Sequence, residues 1–243
     1  MRWLILLWCA VASAAPLAFH VGYDTQHLDL DGHVLQITMT KPAGSATLVV
    51  LGEDGSEIGK GSATFAGEKP GTWLKIPWTQ TDGRVLKIKV HVEDQAGGVV
   101  NVELVPWSVT IDHEDVNFAT DSFAIAETEE PKLTASLDKV NDVIKKSEKF
   151  VAMQLYVAGH TDTVGSAAKN KKLSLDRARA IATWFRKHGV KLPIVMAGYG
   201  EDALKVKTAD NVDEAKNRRV DYVIGPVGAQ PPFAIKASWS ELK

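Results

Sequence analysis

Two opposite charges bracket the stretch of this sequence where chemistry is easiest to place: Asp162, in a polar run after Gly159, and Arg177, beyond a short basic segment. If the elements that carry them pack side by side, the two charges meet at one end of the fold. The planar fork of arginine takes both oxygens of a carboxylate, whether that of Asp162 or one brought by a ligand. Each such charge-assisted bond contributes about 1.5–3 kcal/mol when partly desolvated and about 0–1 kcal/mol when fully wet. The same charges could instead tie a turn to a helix as an intramolecular salt bridge. Spacing alone leaves both readings open.

The elements that must position them follow from periodicity. The alternating run 151–157 predicts a strand that ends at Gly159. Ala178, Ile181, Ala182 and Phe185 fall at the i, i+3, i+4, i+7 spacing of one buried helical stripe. Ser174 is placed to cap that helix and Gly189 to close it. On this reading Arg177 sits in the first turn, where the helix dipole disfavours a cation by roughly 0.3–1 kcal/mol. Such an arginine calls for a carboxylate, from Asp162 or from a ligand.

Residues 113–225 around this pair read as an α/β domain. A short strand at 116–118 precedes a turn at 119–122, and Pro131 opens a helix whose stripe is Leu133, Leu137, Val140 and Ile144. Strands at 193–197 and 218–224 complete the order βαβαββ, two helices on one mixed sheet. Pro226, Pro231 and Pro232 predict an extended tail over 226–243.

Residues 17–112 read differently, giving an α+β chain of two domains. Short β-branched runs at 34–40, 46–51, 72–78, 85–92 and 99–105, with turn dipeptides such as Asp54-Gly55 and Asp82-Gly83 between them, predict a two-sheet sandwich of immunoglobulin or fibronectin type. These residues are too few for a membrane barrel, which needs at least about eight strands of about ten residues. The segment from Gly55 to Gly61 reads as an ordinary turn, because no Ser or Thr follows Lys60 as a phosphate loop requires. Trp73, Trp78 and Trp107 read as core residues before they read as a sugar-stacking platform.

The whole chain bounds the function. Its 243 residues, 45% of them hydrophobic, can bury a sizeable core, and a net charge of −2 offers no field for nucleic acid. One charge, an apolar run and small residues over 1–14 predict a signal peptide, too short to span a membrane. Cys9 lies within that run after the bulky Trp8, which argues against lipidation. The mature chain then has no cysteine and no disulfide. The seven histidines are scattered without metal-ligand spacing, no metal or other cofactor is called for, and no HExxH or G-x-S-x-G pattern signals catalysis.

Four blocks in fixed order carry a resemblance: Gly159-His160-Thr161-Asp162 with Gly165; Asn170, Leu173-Ser174 and Arg177-Ala178; Gly198-Tyr199-Gly200-Glu201; and Asn217-Arg218-Arg219-Val220. Over residues 113–225 the chain resembles the OmpA-like peptidoglycan-binding domain. The resemblance implies non-covalent attachment to peptidoglycan through the meso-diaminopimelate of the stem peptide. Asp162 would receive the diaminopimelate ammonium and Arg177 its carboxylate. Thr163, Asn170, Thr120, Asp121 and Arg218 are implied as further contacts, although Ala119 stands where the family commonly has Asp. The implied place is the periplasm, at the cell wall or outer membrane of a Gram-negative-type envelope, with residues 17–112 engaging another envelope component. A protein of the same shape that binds a partner instead of the wall is the alternative, and a wall-degrading enzyme is the least favoured. His160 reads as a packed residue, Lys169 to Lys172 as a wet basic face, and Arg218 and Arg219 either as contacts or as solvated strand-edge charges.

Overall fold

In a computed structural model of the chain, the described residues are 19–119, 121–229, 231, 233 and 237–243. The expected signal peptide at 1–14, with Cys9, and the candidate contact Thr120 lie outside them. The chain divides into two compact units, Met1–Trp107 and Ser108–Lys243.

The first unit is built of β1 (Val21–Gly22), β2 (Leu28–Asp29), β3 (Val34–Met39), β4 (Ala43–Gly52), β5 (Glu57–Thr64), β6 (Leu74–Gln80), β7 (Val85–Asp94) and β8 (Val99–Leu104). Period-2 alternation turns Leu35, Ile37 and Met39 of β3, Leu48 and Val50 of β4, and Ile88, Val90 and Val92 of β7 into one core. The strands form a single eight-stranded sheet in the order β1-β3-β6-β5-β4-β7-β8, with β2 on β3, where two stacked sheets were expected. The reason lies in β6. Its first residues, Leu74 to Pro77, pair with β3, while Trp78 to Gln80 pair with β5, so one strand joins what would have been two sheets.

Strand β5 itself corrects the sequence reading, which took its glycines for a turn. Gly61 is a packing glycine: a Cβ there would lie 2.2 Å from the Pro77 carbonyl oxygen on the neighbouring strand. Trp78 and Trp107 are buried, as core residues should be, whereas Trp73 is half-buried with its ring stacked 3.5 Å from that of His27.

The second unit contains β9 (Val109–Thr110), α1 (Glu130–Ser147), β10 (Met153–His160), α2 (Ala167–Lys187), β11 (Ile194–Gly200), β12 (Val220–Pro226) and β13 (Ser240–Glu241). They form a sheet in the order β13-β11-β10-β12-β9, in which β10 and β11 run parallel and the other pairs antiparallel. In α1, Leu133 and Val140 are buried, with Pro131 in the first turn.

Two features of this unit differ from expectation. Residues 116–118 form no strand; Val116 is buried in irregular chain, and the sheet edge goes instead to β9, upstream. The tail does not hang free, because β13 pairs Ser240 with Met196 of β11. Trp239 sets its edge against Tyr156 at 5.2 Å, and Phe233 lies 5.5 Å from Trp239. These rings pack with Ala158, Ala197 and Tyr199, which strand alternation puts on the face turned away from α2. An apolar sheet face with no helix on it explains why the tail folds back.

Candidate functional site

Strand β10 and helix α2 meet at unusually close range, and glycine allows it. A Cβ on Gly159 would lie 1.9 Å from the Ser174 carbonyl oxygen, and one on Gly198 of β11 would lie 2.6 Å from Leu175 N. Backbone therefore rests on backbone, and the end of the sheet is held in fixed register with the helix. Ser174 locks the contact: its hydroxyl donates to the Lys171 carbonyl at 2.9 Å and accepts from the Gly200 N–H at 2.8 Å.

Ser174 is thus a clamp inside the helix rather than its cap. The cap is Ser166, whose Oγ accepts from Lys169 N at 3.3 Å, about two turns upstream. The polar run from Lys169 to Lys172 hid the true start, since those residues lack an apolar stripe. Arg177 consequently lies well inside α2, and the first-turn dipole argument does not apply to it.

The Arg177 side chain is only 2% exposed. Nε donates to the Ser122 carbonyl at 3.0 Å, Nη2 donates to the Ala119 carbonyl at 3.4 Å, and the guanidinium carbon lies 5.1 Å from the centre of the Phe118 ring. No carboxylate of a described residue comes within ion-pair distance of it. Burial lowers its pKa below that of a free guanidinium. The positive Arg218 adds to that, while Asp162 and Asp121 oppose it. The sequence could not reveal the carbonyl partners, because they come from a loop distant along the chain.

Asp162 occupies the turn between β10 and α2 and is also buried. Its Oδ1 accepts from Val164 N at 3.2 Å, and its Oδ2 accepts from Arg218 Nη1 at 2.6 Å. The expected partner Arg177 therefore acts on it only at longer range. Arg218 is shared, since the same Nη1 also bonds Asp213, an exposed carboxylate that sequence reasoning missed. The hydrogen bonds that Arg218 donates to Asp162 first and to Asp213 second raise its pKa.

The remaining candidates support the turn. Asn170, in the first turns of α2, directs its amide toward the carbonyls of Asp162 (3.3 Å) and Val164 (3.1 Å) and the Glu201 carboxylate (2.6 Å). Thr163 is buried; its Oγ1 donates to the Ala209 carbonyl at 2.8 Å and accepts from Val212 N at 3.0 Å, tying the turn to the loop before β12. Asp121 is exposed at a φ of 55° and bonds Lys169 Nζ at 2.7 Å, linking the Ala119–Ser122 loop to α2.

His160 belongs to the other side of the sheet. Its ring stacks on Tyr199 with centroids 5.1 Å apart, and Nε2 lies 3.2 Å from Asp221 Oδ2. Burial holds its pKa below 6.5, against the upward pull of Asp221. Arg219 is buried beside it, with Nε donating to Asp221 at 3.1 Å, so it is no solvated edge charge. Among the described residues no cluster of His, Cys, Asp and Glu could hold a metal ion.

Comparison with known proteins matches residues 117–218 to the family model described as OmpA family. A 154-residue stretch, 63% of the chain, is 33% identical to outer membrane protein P5 of Haemophilus influenzae and covers 40% of it. A 92-residue stretch, 35% of the chain, is 35% identical to photosystem I P700 chlorophyll a apoprotein A2 of Gloeobacter violaceus and covers 11% of that protein. The chain thus spans well under half the length of these curated relatives. Among solved structures, the peptidoglycan-associated lipoprotein of Burkholderia pseudomallei aligns at 20% identity with a TM-score of 0.37, over 46% of this chain and 89% of that one.

Proposed function

We propose that this chain, whose residues 117–218 are an OmpA-family domain, is a non-catalytic envelope protein that holds peptidoglycan non-covalently by the meso-diaminopimelate of its stem peptides. Arg177 carries the reading. It is a buried guanidinium bonded to two backbone carbonyls and facing an aromatic ring, with no described carboxylate within ion-pair distance. Such a cation is costly to keep unless an anion arrives, and a carboxylate is the anion that an arginine fork fits. Asp162, close enough to act on Arg177 electrostatically, offers the opposite charge to an ammonium on the same carbon.

Because Asp162 already bonds Arg218, an incoming ammonium shares or displaces that arginine, so single-site affinity is modest. Many repeated stems then supply strength by avidity. The relative named as an outer membrane protein supports a place in the envelope. No helix among the described residues is long and apolar enough to cross a membrane. The β unit serves as the module for another envelope partner.

The test is pelleting with insoluble sacculi. The purified chain is expected to sediment with them, free meso-diaminopimelate to compete, and Asp162→Ala and Arg177→Ala each to abolish sedimentation with an unchanged circular dichroism spectrum. Sedimentation unaffected in both variants refutes the site. Release of soluble muropeptides would favour the enzyme.

A further inference from the structure

The unit that carries the candidate site has a second end, and that end is basic. Strand β10 runs from Met153 to His160, so its start lies about 25 Å from the Asp162 turn. Strand β11 also begins at this far end, where Leu155 N donates to the Pro193 carbonyl at 2.9 Å, and β12 finishes there, with Pro226 paired to Met153. Both helices arrive with their C-termini. After α1 the chain stays coiled, with Glu148 N donating to the Ile144 carbonyl at 2.9 Å and Val151 N to the Ser147 carbonyl at 3.1 Å. Val227 N then donates to the Ala152 carbonyl at 3.0 Å, which fastens the end of β12 to this turn. After α2, Val190 N donates to the Phe185 carbonyl at 3.1 Å and Arg186 Nη1 to the Val190 carbonyl at 2.8 Å. The segments 145–151 and 186–193 therefore lead into adjacent strands at one end of the sheet.

These two segments carry six cations, Lys145, Lys146, Lys149, Arg186, Lys187 and Lys191, against one carboxylate, Glu148, in a chain whose net charge is −2. All six are exposed, and none forms an ion pair with a described residue. Upstream in α2 the chain does pair its cations: Lys169 with Asp121, Lys171 with Asp202, and Lys172 and Arg179 with Asp176. Cations in a last helical turn complement the helix dipole, which accounts for Lys145, Lys146, Arg186 and Lys187. It does not account for Lys149 and Lys191, beyond the helices, nor for the apolar side chains exposed at the same end, Phe150 at 36% and Val227 at 52%. Cations clustered around a few exposed apolar groups suit an anionic bilayer, whose headgroups take the charges while the apolar groups enter the acyl boundary. Five of the six are lysines. A point charge on a flexible stem follows a fluid layer of headgroups, where a single fixed carboxylate would favour the arginine fork.

We infer that this end of the unit docks on an anionic lipid surface, with Lys145, Lys146, Lys149, Lys187 and Lys191 over the headgroups and Phe150 and Val227 inserted between them. The Asp162 turn then faces away from the lipid. None of the residues assigned to peptidoglycan takes part, so lipid docking stands or falls apart from that reading.

The test is sedimentation of residues 15–243, free of the apolar segment expected as a signal peptide, with vesicles of phosphatidylcholine alone and with vesicles that also contain phosphatidylglycerol. Binding is expected to the anionic vesicles only, and to weaken steeply as salt is raised. Lys187→Gln, Lys191→Gln should weaken it about tenfold or more, each basic side chain near an anionic surface being worth about fivefold. Lys171→Gln, Lys172→Gln, an equal loss of charge toward the other end of the unit, should change it by less than about twofold. Phe150→Ser, Val227→Ser should weaken it about tenfold with the salt dependence kept. Each variant is compared at a temperature where its circular dichroism matches that of the parent. Equal weakening by the two lysine pairs, unchanged binding in the serine variant, or equal binding to both kinds of vesicle overturns the proposal. No sedimentation with either kind overturns it as well, and leaves the cations to a soluble acidic partner.

Discussion

Arg177 and Asp162 stood out because they fall in the ordered motif blocks of the OmpA resemblance, while their spacing left a mutual salt bridge equally open and their actual partners were not legible. The Ala119 and Ser122 carbonyls and the Asp213 carboxylate reach the site only through tertiary folding. Arg177→Lys keeps the charge but loses the fork, and should weaken diaminopimelate binding by about tenfold or more with the fold intact; equal Kd values by calorimetry would contradict a bidentate role. Asp213 is expected to compete with Asp162 for Arg218. Since Asp213 is 76% exposed, its pairing is worth at most about 1 kcal/mol. Asp213→Asn should therefore weaken binding by about two- to fivefold at low salt and less in high salt, and an increase in affinity would show that Arg218 needs no second partner.

Among the elements, the helix interior and the two central strands were read correctly from periodicity, while the start of α2 was not. A serine in helical sequence signals a cap only if its hydroxyl faces the free N–H groups, and Ser174 spends its hydroxyl on Lys171 and Gly200. The glycines beneath it carry a sharp prediction. Gly159→Ala places a methyl where Ser174 backbone already is, and overpacking of this kind costs about 1–3 kcal/mol or more. The thermal midpoint should fall and binding should drop with it, since the register of Asp162 against Arg177 depends on this contact; a variant as stable as the parent would deny the close packing. The opposite face of β10 predicts a pH effect. Burial keeps His160 neutral in the folded state, so the unfolded chain takes up its proton first as pH falls through about 6.5. Asp221, held below its ordinary value by His160 and Arg219 despite burial, works in the same direction at lower pH. Urea midpoints should therefore decline from pH 7.5 to pH 5, and His160→Gln should flatten that decline; a slope identical in the variant would assign it elsewhere.

In the whole chain, the β-then-α/β order was readable from strand spacing and helical stripes, but the arrangement of the β strands was not. Alternation tells which side of a strand is buried, not which neighbour it pairs with, and β6 changes neighbour midway. The tail was misread because its prolines say extended and nothing local says docked. Every residue proposed for the wall site lies in Ser108–Lys243, a compact unit by itself. A chain cut to that unit should bind diaminopimelate within about twofold of the full chain, while a loss above about tenfold would mean that the β unit takes part in recognition. The sheet of this unit ends on both sides in strands of two residues, Val109–Thr110 and Ser240–Glu241. Long bare edges are templates on which neighbouring molecules zip together, and stubs this short offer almost none. Copies of this unit, however crowded, would therefore stay discrete instead of growing into filaments.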